Sequence, residues 1–428
     1  MTKVICLVLF LVFLIFGNPA FSGGQEEEPS EITEIVFGNY RIGNHAKASY
    51  TANFIKKFRV AHPEVKLTVE EIPGTDNYFQ KLKVLLVSGE LPDVILDTGE
   101  NFIDIAFQKD ALLDFTPYLN ADQGWKSYFP NRNLEFNSRN GKVYGLTDQG
   151  TMIGYFYNEQ LYQNAGIDTA ASTWDEFWTI CAKLKSSGIV PLALQTSETS
   201  WTSALLLGAI IGTNSKKGEE FMNTFQPKSF SEPYVVDAFE DLQKALAEYT
   251  TKDAIGGDYA RAANNFLNSR TAMIFNGPWM IKDFSDASKA PEGFHKKVKS
   301  AIYPGGGIYD GQSFGMLSGS NTSEEAEATV KFFKMYFNPE ESIARFKDHD
   351  QITKSPKVQI PLDVLKEKRI LGELLNESQN AKYRFSDYQV LWLPAHYDLL
   401  DTHLPLLASG KMTAMEMVEE MNKIAQNQ

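Results

Sequence analysis

Between residues 34 and 96 the apolar residues switch back and forth between a period of two and a period of about four, and this alternation constrains the fold most. Ile35-Val-Phe37 and the alternating Val65, Leu67 and Val69 read as strands, whereas Tyr50, Phe54 and Phe58 mark one face of a helix that stops before His62-Pro63. A second helix carries Tyr78, Leu82 and Leu85 at i, i+4 and i+7, and Gly89 stands where a left-handed cap ends it. It delivers the chain to Asp93-Val-Ile-Leu96, a short buried strand. Strand, helix, strand, helix, strand in that order predicts a parallel sheet covered by helices. Such a sheet places ligands in the loops beyond the carboxyl ends of its strands.

The same grammar resumes after residue 150. Thr173-Trp-Asp-Glu176 has capping-box spacing and opens a helix that Gly188 closes; Val235, Phe239, Leu242, Leu246 and Tyr249 mark another. Ser323-Glu-Glu is expected to cap a helix carrying Val330, Phe333 and Phe337, and Thr413-Ala-Met-Glu416 to open the terminal one. With 428 residues, 43% of them apolar, the chain can fill two sizeable cores, so two α/β lobes of unequal size are expected.

The first residues combine Lys3, an apolar run from Val4 to Phe16 and the small residues of Ala20-Phe21-Ser22, which predicts a signal peptide over residues 1–22 and export to the periplasm. Cys6 lies inside the apolar run and not at the cleavage point, so no lipid anchor is expected. Residues 23–33, with Glu26-Glu-Glu-Pro-Ser, read as a polar leader. Cys181, left alone by cleavage, shares a helix face with Phe177 and Leu184 and reads as a buried small hydrophobe. A net charge of −13 without a dense Lys/Arg block argues against nucleic acid as a partner.

Tyr78 to Leu96 and Asn276-Gly-Pro-Trp279 resemble signatures of the bacterial extracellular solute-binding proteins of family 1, the maltose-binding-protein-like proteins that feed ABC sugar importers. The resemblance extends through Gly141-Lys-Val-Tyr-Gly145, Tyr155-Phe-Tyr-Asn158, Thr173-Trp-Asp-Glu-Phe177, Phe266 to Met273, Tyr303-Pro-Gly-Gly-Gly307 and Leu407 to Glu416, in family order. Thr147 departs from it, standing where many relatives carry proline. The resemblance implies a two-lobe type II periplasmic-binding-protein fold with three hinge crossings, near Asp148 to Thr151, Ile302 to Pro304 and Lys347 to Thr353. It assigns residues 34–148 and 304–348 to an N-terminal lobe and 151–302 and 353–428 to a C-terminal lobe. It further implies a monomer that binds a carbohydrate in the interlobe cleft, delivers it to the membrane subunits of an ABC permease and needs no cofactor.

A sugar offers a ring face of C–H groups and a rim of hydroxyls, so its site needs aromatic planes and fixed donors and acceptors. Trp279 follows the turn Gly277-Pro278, and the resemblance implies that it stacks on a sugar ring; a core tryptophan is the alternative. Trp201, in a polar stretch ahead of an apolar run, and Trp392, in Leu391-Trp-Leu-Pro394, are candidates for the cleft or for packing. Asp97, directly after a strand, and Glu100 in the same loop could accept paired hydroxyls or cap the next helix. Asn39, Tyr40 and Asn44 follow the first strand, Asp148 and Gln149 sit at the first crossing, and Asn276 and Gly306 lie in later loops. The six histidines include no close metal-ligand pair, and no Gly-x-Ser-x-Gly elbow or phosphate loop occurs. Together with these absences, the resemblance implies a binding protein and not an enzyme. A polyamine or other small-solute binder, and a secreted glycosidase using Asp97, Glu100 or Asp148, stand as the alternatives.

Overall fold

The computed structural model of the chain describes residues 32–43, 45, 47–96 and 102–426. The expected signal peptide, most of the leader, Asn44, Asp97 and Glu100 lie outside the described residues.

The smaller sheet is the one read from the opening segment. Thr33–Asn39 lies at its centre, parallel to Val65–Glu71 on one side, with Ile35 opposite Leu67, and to Val94–Ile95 on the other. Its alternation buries Ile35, Phe37, Val65 and Leu67. Helix Thr75–Ser88 sinks Tyr78 and Leu82 completely and ends at Gly89 (φ +76°), whose N–H donates to the Leu85 carbonyl. A left-handed cap needs that φ, which glycine adopts without strain. Helix Ser323–Tyr336 returns to the same core, setting Phe332 against Phe37 at 5.4 Å and Phe54 at 5.1 Å. Its N-cap is Thr322, one residue before the expected Ser323, because the Thr322 hydroxyl takes the Glu325 N–H while the Glu325 carboxylate takes the Thr322 N–H.

The larger sheet is mixed and built around Thr151–Asn158. Thr271–Asn276 runs antiparallel along one edge of that strand, and Val298–Ala301 and Gly307–Gly311 share the other. Helix Trp201–Asn214 crosses this sheet buried on every side from Thr202 to Thr213, as its nearly unbroken apolar sequence requires. The capping boxes at Thr173 and Thr413 both form, and Cys181 is fully buried, its thiol raised well above the ordinary range by burial.

The chain passes between the sheets three times. Leu146 bridges Met316 beside the smaller sheet, where Leu317 bridges Ile95, and a few residues on Gly311 pairs with Thr151 in the larger sheet, so residues 147–150 and 312–315 cross side by side. The third passage follows helix Pro339–His349, where Thr353 bridges Gln149 and the Lys354 N–H donates to the Asp148 carbonyl at 2.6 Å. The second crossing is thus not at Ile302 to Pro304. Gly305 (φ +83°) and Gly306 (φ +79°) form a tight turn that folds the chain back onto the same strand edge, closed by the Tyr303 N–H on the Gly307 carbonyl at 2.7 Å. Residues 304–311 therefore belong to the larger lobe.

Candidate ligand cleft

Strand Thr271–Asn276 ends on a fully buried asparagine that organises one wall of the gap between the lobes. The Asn276 Oδ1 accepts the Gly277 N–H at 2.8 Å and the Trp201 Nε1–H at 3.4 Å, while Nδ2 donates to the Tyr259 hydroxyl at 2.9 Å. The expected ligand contact is spent on holding the wall in place. Gly277 then lets the chain double back so that the Trp279 indole lies across its backbone; a Cβ there would collide with the ring. Trp279 remains 49% exposed, far from the burial of a core tryptophan. Its ring centroid lies 5.8 Å from that of Trp201 at an interplanar angle of 49°, and Trp201 lies 6.1 Å from Tyr388. Trp279 and Trp201 thus present two adjacent indoles, and the buried Tyr388 packs against Trp201.

Trp279 lines a cavity of about 230 Å³ to which all three crossings contribute: Gln149 and Gly150 from the first, Ser313 from the second, Asp350 and Gln351 from the third, with His349 at the end of the helix before it. Lys47 closes it from the smaller lobe. The His349 imidazole, set beside Gln351 at 2.9 Å, is pushed down to about 4, chiefly by burial, and is neutral at physiological pH. A second cavity of about 620 Å³ lies between Asp104, Phe136 and Arg139 of the smaller lobe and Asn223, Phe225 and Leu391 of the larger, with Gln312 at its base. A third of about 650 Å³ lies within the smaller lobe, between helix Ala48–Ala61 and helix Pro339–His349, away from both the crossings and the aromatic face.

The remaining expected residues divide by burial. Gln149 lines the cavity. Asp148 is fully enclosed: its Oδ2 accepts from Arg345 at 2.8 Å, from Ser342 at 2.5 Å and from Thr353 at 3.2 Å, which makes it an anchor of the hinge with no face toward a ligand. Asn39 is buried, its side-chain oxygen taken by the Arg41 N–H, and Tyr40 packs its ring 4.9 Å from Tyr78. Trp392 is a core residue, 5.0 Å from Phe230 and edge-on to it, because the short helix Tyr388–Leu391 turns it inward. Tyr388, four residues earlier, is buried as well and packs against Trp201. Gly306 sits in the turn against Lys382, inside the larger lobe. His349, Ser313 and Lys47, which line the cavity, went unread in the sequence.

Residues 53–366 match the family described as bacterial extracellular solute-binding protein. Among curated proteins, the arabinooligosaccharide-binding protein of Bacillus subtilis (strain 168) is 26% identical over 233 residues, covering 51% of this chain and 50% of that protein. The chain thus spans about half the length, or less, of the curated relatives it matches. Among solved structures, a chitin oligosaccharide binding protein superposes with a TM-score of 0.76 at 23% identity, covering 93% of this chain and 99% of that one. A Streptococcus pneumoniae solute-binding protein in complex with the blood group A-trisaccharide gives 0.71 at 20% identity, covering 93% and 100%. These likenesses share the α/β two-lobe architecture.

Proposed function

This chain belongs to the bacterial extracellular solute-binding protein family, and on that premise we propose that it is the substrate-binding component of an ABC importer, taking an oligosaccharide between its lobes and presenting it to a membrane permease. The observation that carries the reading is the half-exposed Trp279, set beside Trp201 and lining a cavity to which every hinge crossing contributes. Flat apolar planes with amide, hydroxyl and imidazole groups beside them suit a sugar's ring face and hydroxyl rim. The relatives' names support the same ligand class, since they include arabinooligosaccharide and chitin oligosaccharide binders.

A polyamine would need an acidic cleft, yet Asp350 at the cavity is paired with Lys368 at 2.6 Å and Lys47 lies at its rim. A glycosidase would need two carboxylates flanking the scissile bond, and Asp148 is locked in a buried ion pair. The family is one of binding proteins, and no helix among the described residues is long and apolar enough to cross a membrane. We place the protein outside the cytoplasmic membrane, on family membership and on the signal-like first residues.

Calorimetric titration of wild type and Trp279→Ala with arabino- and chito-oligosaccharides tests the reading. Stacking on a shielded indole contributes on the order of 1–3 kcal/mol, so the variant should bind roughly tenfold or more weakly. Its apo melting temperature should barely move, since the ring is half exposed. Sugar recovered after denaturation should be intact. Unaltered affinity, or cleaved sugar, would overturn the proposal.

A further inference from the structure

The segment that leads into Trp201 has a backbone that its own sequence does not favour. Glu198, Thr199 and Ser200 all lie in the left-handed region, at φ +53°, +62° and +50°. None is glycine, and one of them is β-branched, so a run of three requires an external restraint. The helix that follows offers none at its start, because Ser200 is its N-cap and makes no side-chain capping bond.

The restraint comes from two hundred residues away. Asp401, on helix Pro394–Ala408, accepts the Thr199 N–H on Oδ2 at 2.7 Å and the Ser200 hydroxyl on Oδ1 at 2.7 Å. One carboxylate thereby satisfies two successive residues of the turn, and both are bonds to a charged acceptor, the stronger kind. The Tyr388 hydroxyl donates to the Thr199 carbonyl at 3.2 Å, and the Glu198 carboxylate accepts the Tyr259 N–H at 3.1 Å. Both tyrosines belong to the aromatic wall or its support, since Tyr388 rings against Trp201 and Tyr259 holds Asn276.

We propose that Asp401 is a positioning residue for ligand binding: it holds the left-handed Glu198 to Ser200 turn and so fixes the Trp201 indole in the face it shares with Trp279. This rests on the reading of that face as the ligand wall. Helix Trp201–Asn214 is buried from Thr202 to Thr213 and cannot move as a body. Trp201 is its first residue and only partly buried, so its side chain is directed by the turn before it and not by the helix core. Asp401 touches neither Trp201 nor Trp279 in any hydrogen bond; it acts through the turn.

The test uses the full chain as wild type, Asp401→Ala, Trp201→Ala and the double variant Asp401→Ala with Thr199→Gly. Two readouts are taken: acrylamide quenching of the Trp201 signal, as the difference from a Trp201→Phe background, and titration with arabinotriose and chitotriose. Asp401→Ala should raise Trp201 quenching without any sugar present and weaken sugar binding about tenfold, the loss expected when an aromatic anchor is misplaced. Glycine at position 199 relieves the strain at one of the three left-handed positions, so the double variant should recover part of both signals. A lower melting temperature with quenching and affinity unchanged would reduce Asp401 to a fold contact and overturn the proposal. If quenching responds as expected but Trp201→Ala binds sugar as wild type does, or the wild type binds neither sugar, the ligand-binding role is overturned and the fault lies in the reading of the wall.

Discussion

His349 and His396 each set an acid limit on the fold. His349 faces the cleft cavity against Tyr50 at 5.5 Å, and burial, helped by Lys47 and Arg41, holds its pKa near 4; His396 is buried beside the Met421 carbonyl, and burial lowers it as well. A lowered folded-state pKa means that the unfolded chain takes up protons that the folded chain refuses. Stability therefore falls as pH drops from the ordinary histidine value of 6.5 toward 4. Asp310 acts with the same sign at lower pH: Lys354 and Arg384 overcome the effect of burial and hold its carboxyl below the ordinary 3.8, so its contribution is present above 3.8 and is lost as pH falls further. Melting curves between pH 7 and 4.5 should thus report the histidines, opposed by buried carboxyls such as Glu377, which burial raises and which take up protons more readily in the folded chain. His349→Gln is expected to reduce that slope, and His349→Gln with His396→Gln to reduce it further. An unchanged slope in the double variant would place the acid sensitivity elsewhere.

At the scale of elements, the turn after strand Thr271–Asn276 does more than connect. Gly277→Ala would put a methyl group where the Trp279 indole now lies, while Asn276 and the strand behind it remain buried and bonded. The ring must swing away, so affinity should drop roughly as in Trp279→Ala, by about tenfold, with a modest loss of apo stability; titration and melting of the one variant check both. The sequence made these elements legible where periodicity and caps spoke together. The strands of the first sheet, the Gly89 cap and the Thr173 and Thr413 capping boxes could all be read. What could not be read was side-chain direction across long separations. Asp148 looks like a loop acceptor until Arg345 is placed against it, and Trp392 looks like a wall residue until its short helix turns it toward Phe230. The Gly305-Gly306 turn carries the composition of a hinge, but its backbone closes a loop within one sheet edge.

For the whole molecule, two ion clusters delimit where it can bend. On the smaller lobe, Asp148 of the first crossing is paired with Arg345 of helix Pro339–His349; on the larger, Lys354 of the third crossing meets Asp310 at 2.5 Å and Arg384 meets the same carboxylate at 2.6 Å. Between them lie only short stretches, residues 149–150, 312–315 and 350–353, so lobe motion should be a hinge and not a sliding of surfaces. Arg132 of the smaller lobe already reaches across to Asn223 at 2.5 Å and Ser386 at 3.3 Å. A ligand that touches both walls favours the closed arrangement by its differential affinity, and saturating oligosaccharide should lower the radius of gyration in small-angle scattering. Asp310→Asn leaves Lys354 and Arg384 sharing a neutral amide. Removing one partner of a buried pair typically costs about 3–5 kcal/mol, and the partial exposure of this cluster places the expected loss toward the lower end or below it. That loss should appear as a lower melting temperature, and, because the third crossing is then less firmly tied to the larger lobe, as a wider apo envelope that ligand still compacts. An apo envelope identical to wild type despite the lower melting temperature would show that the cluster stabilises the lobe without governing the hinge.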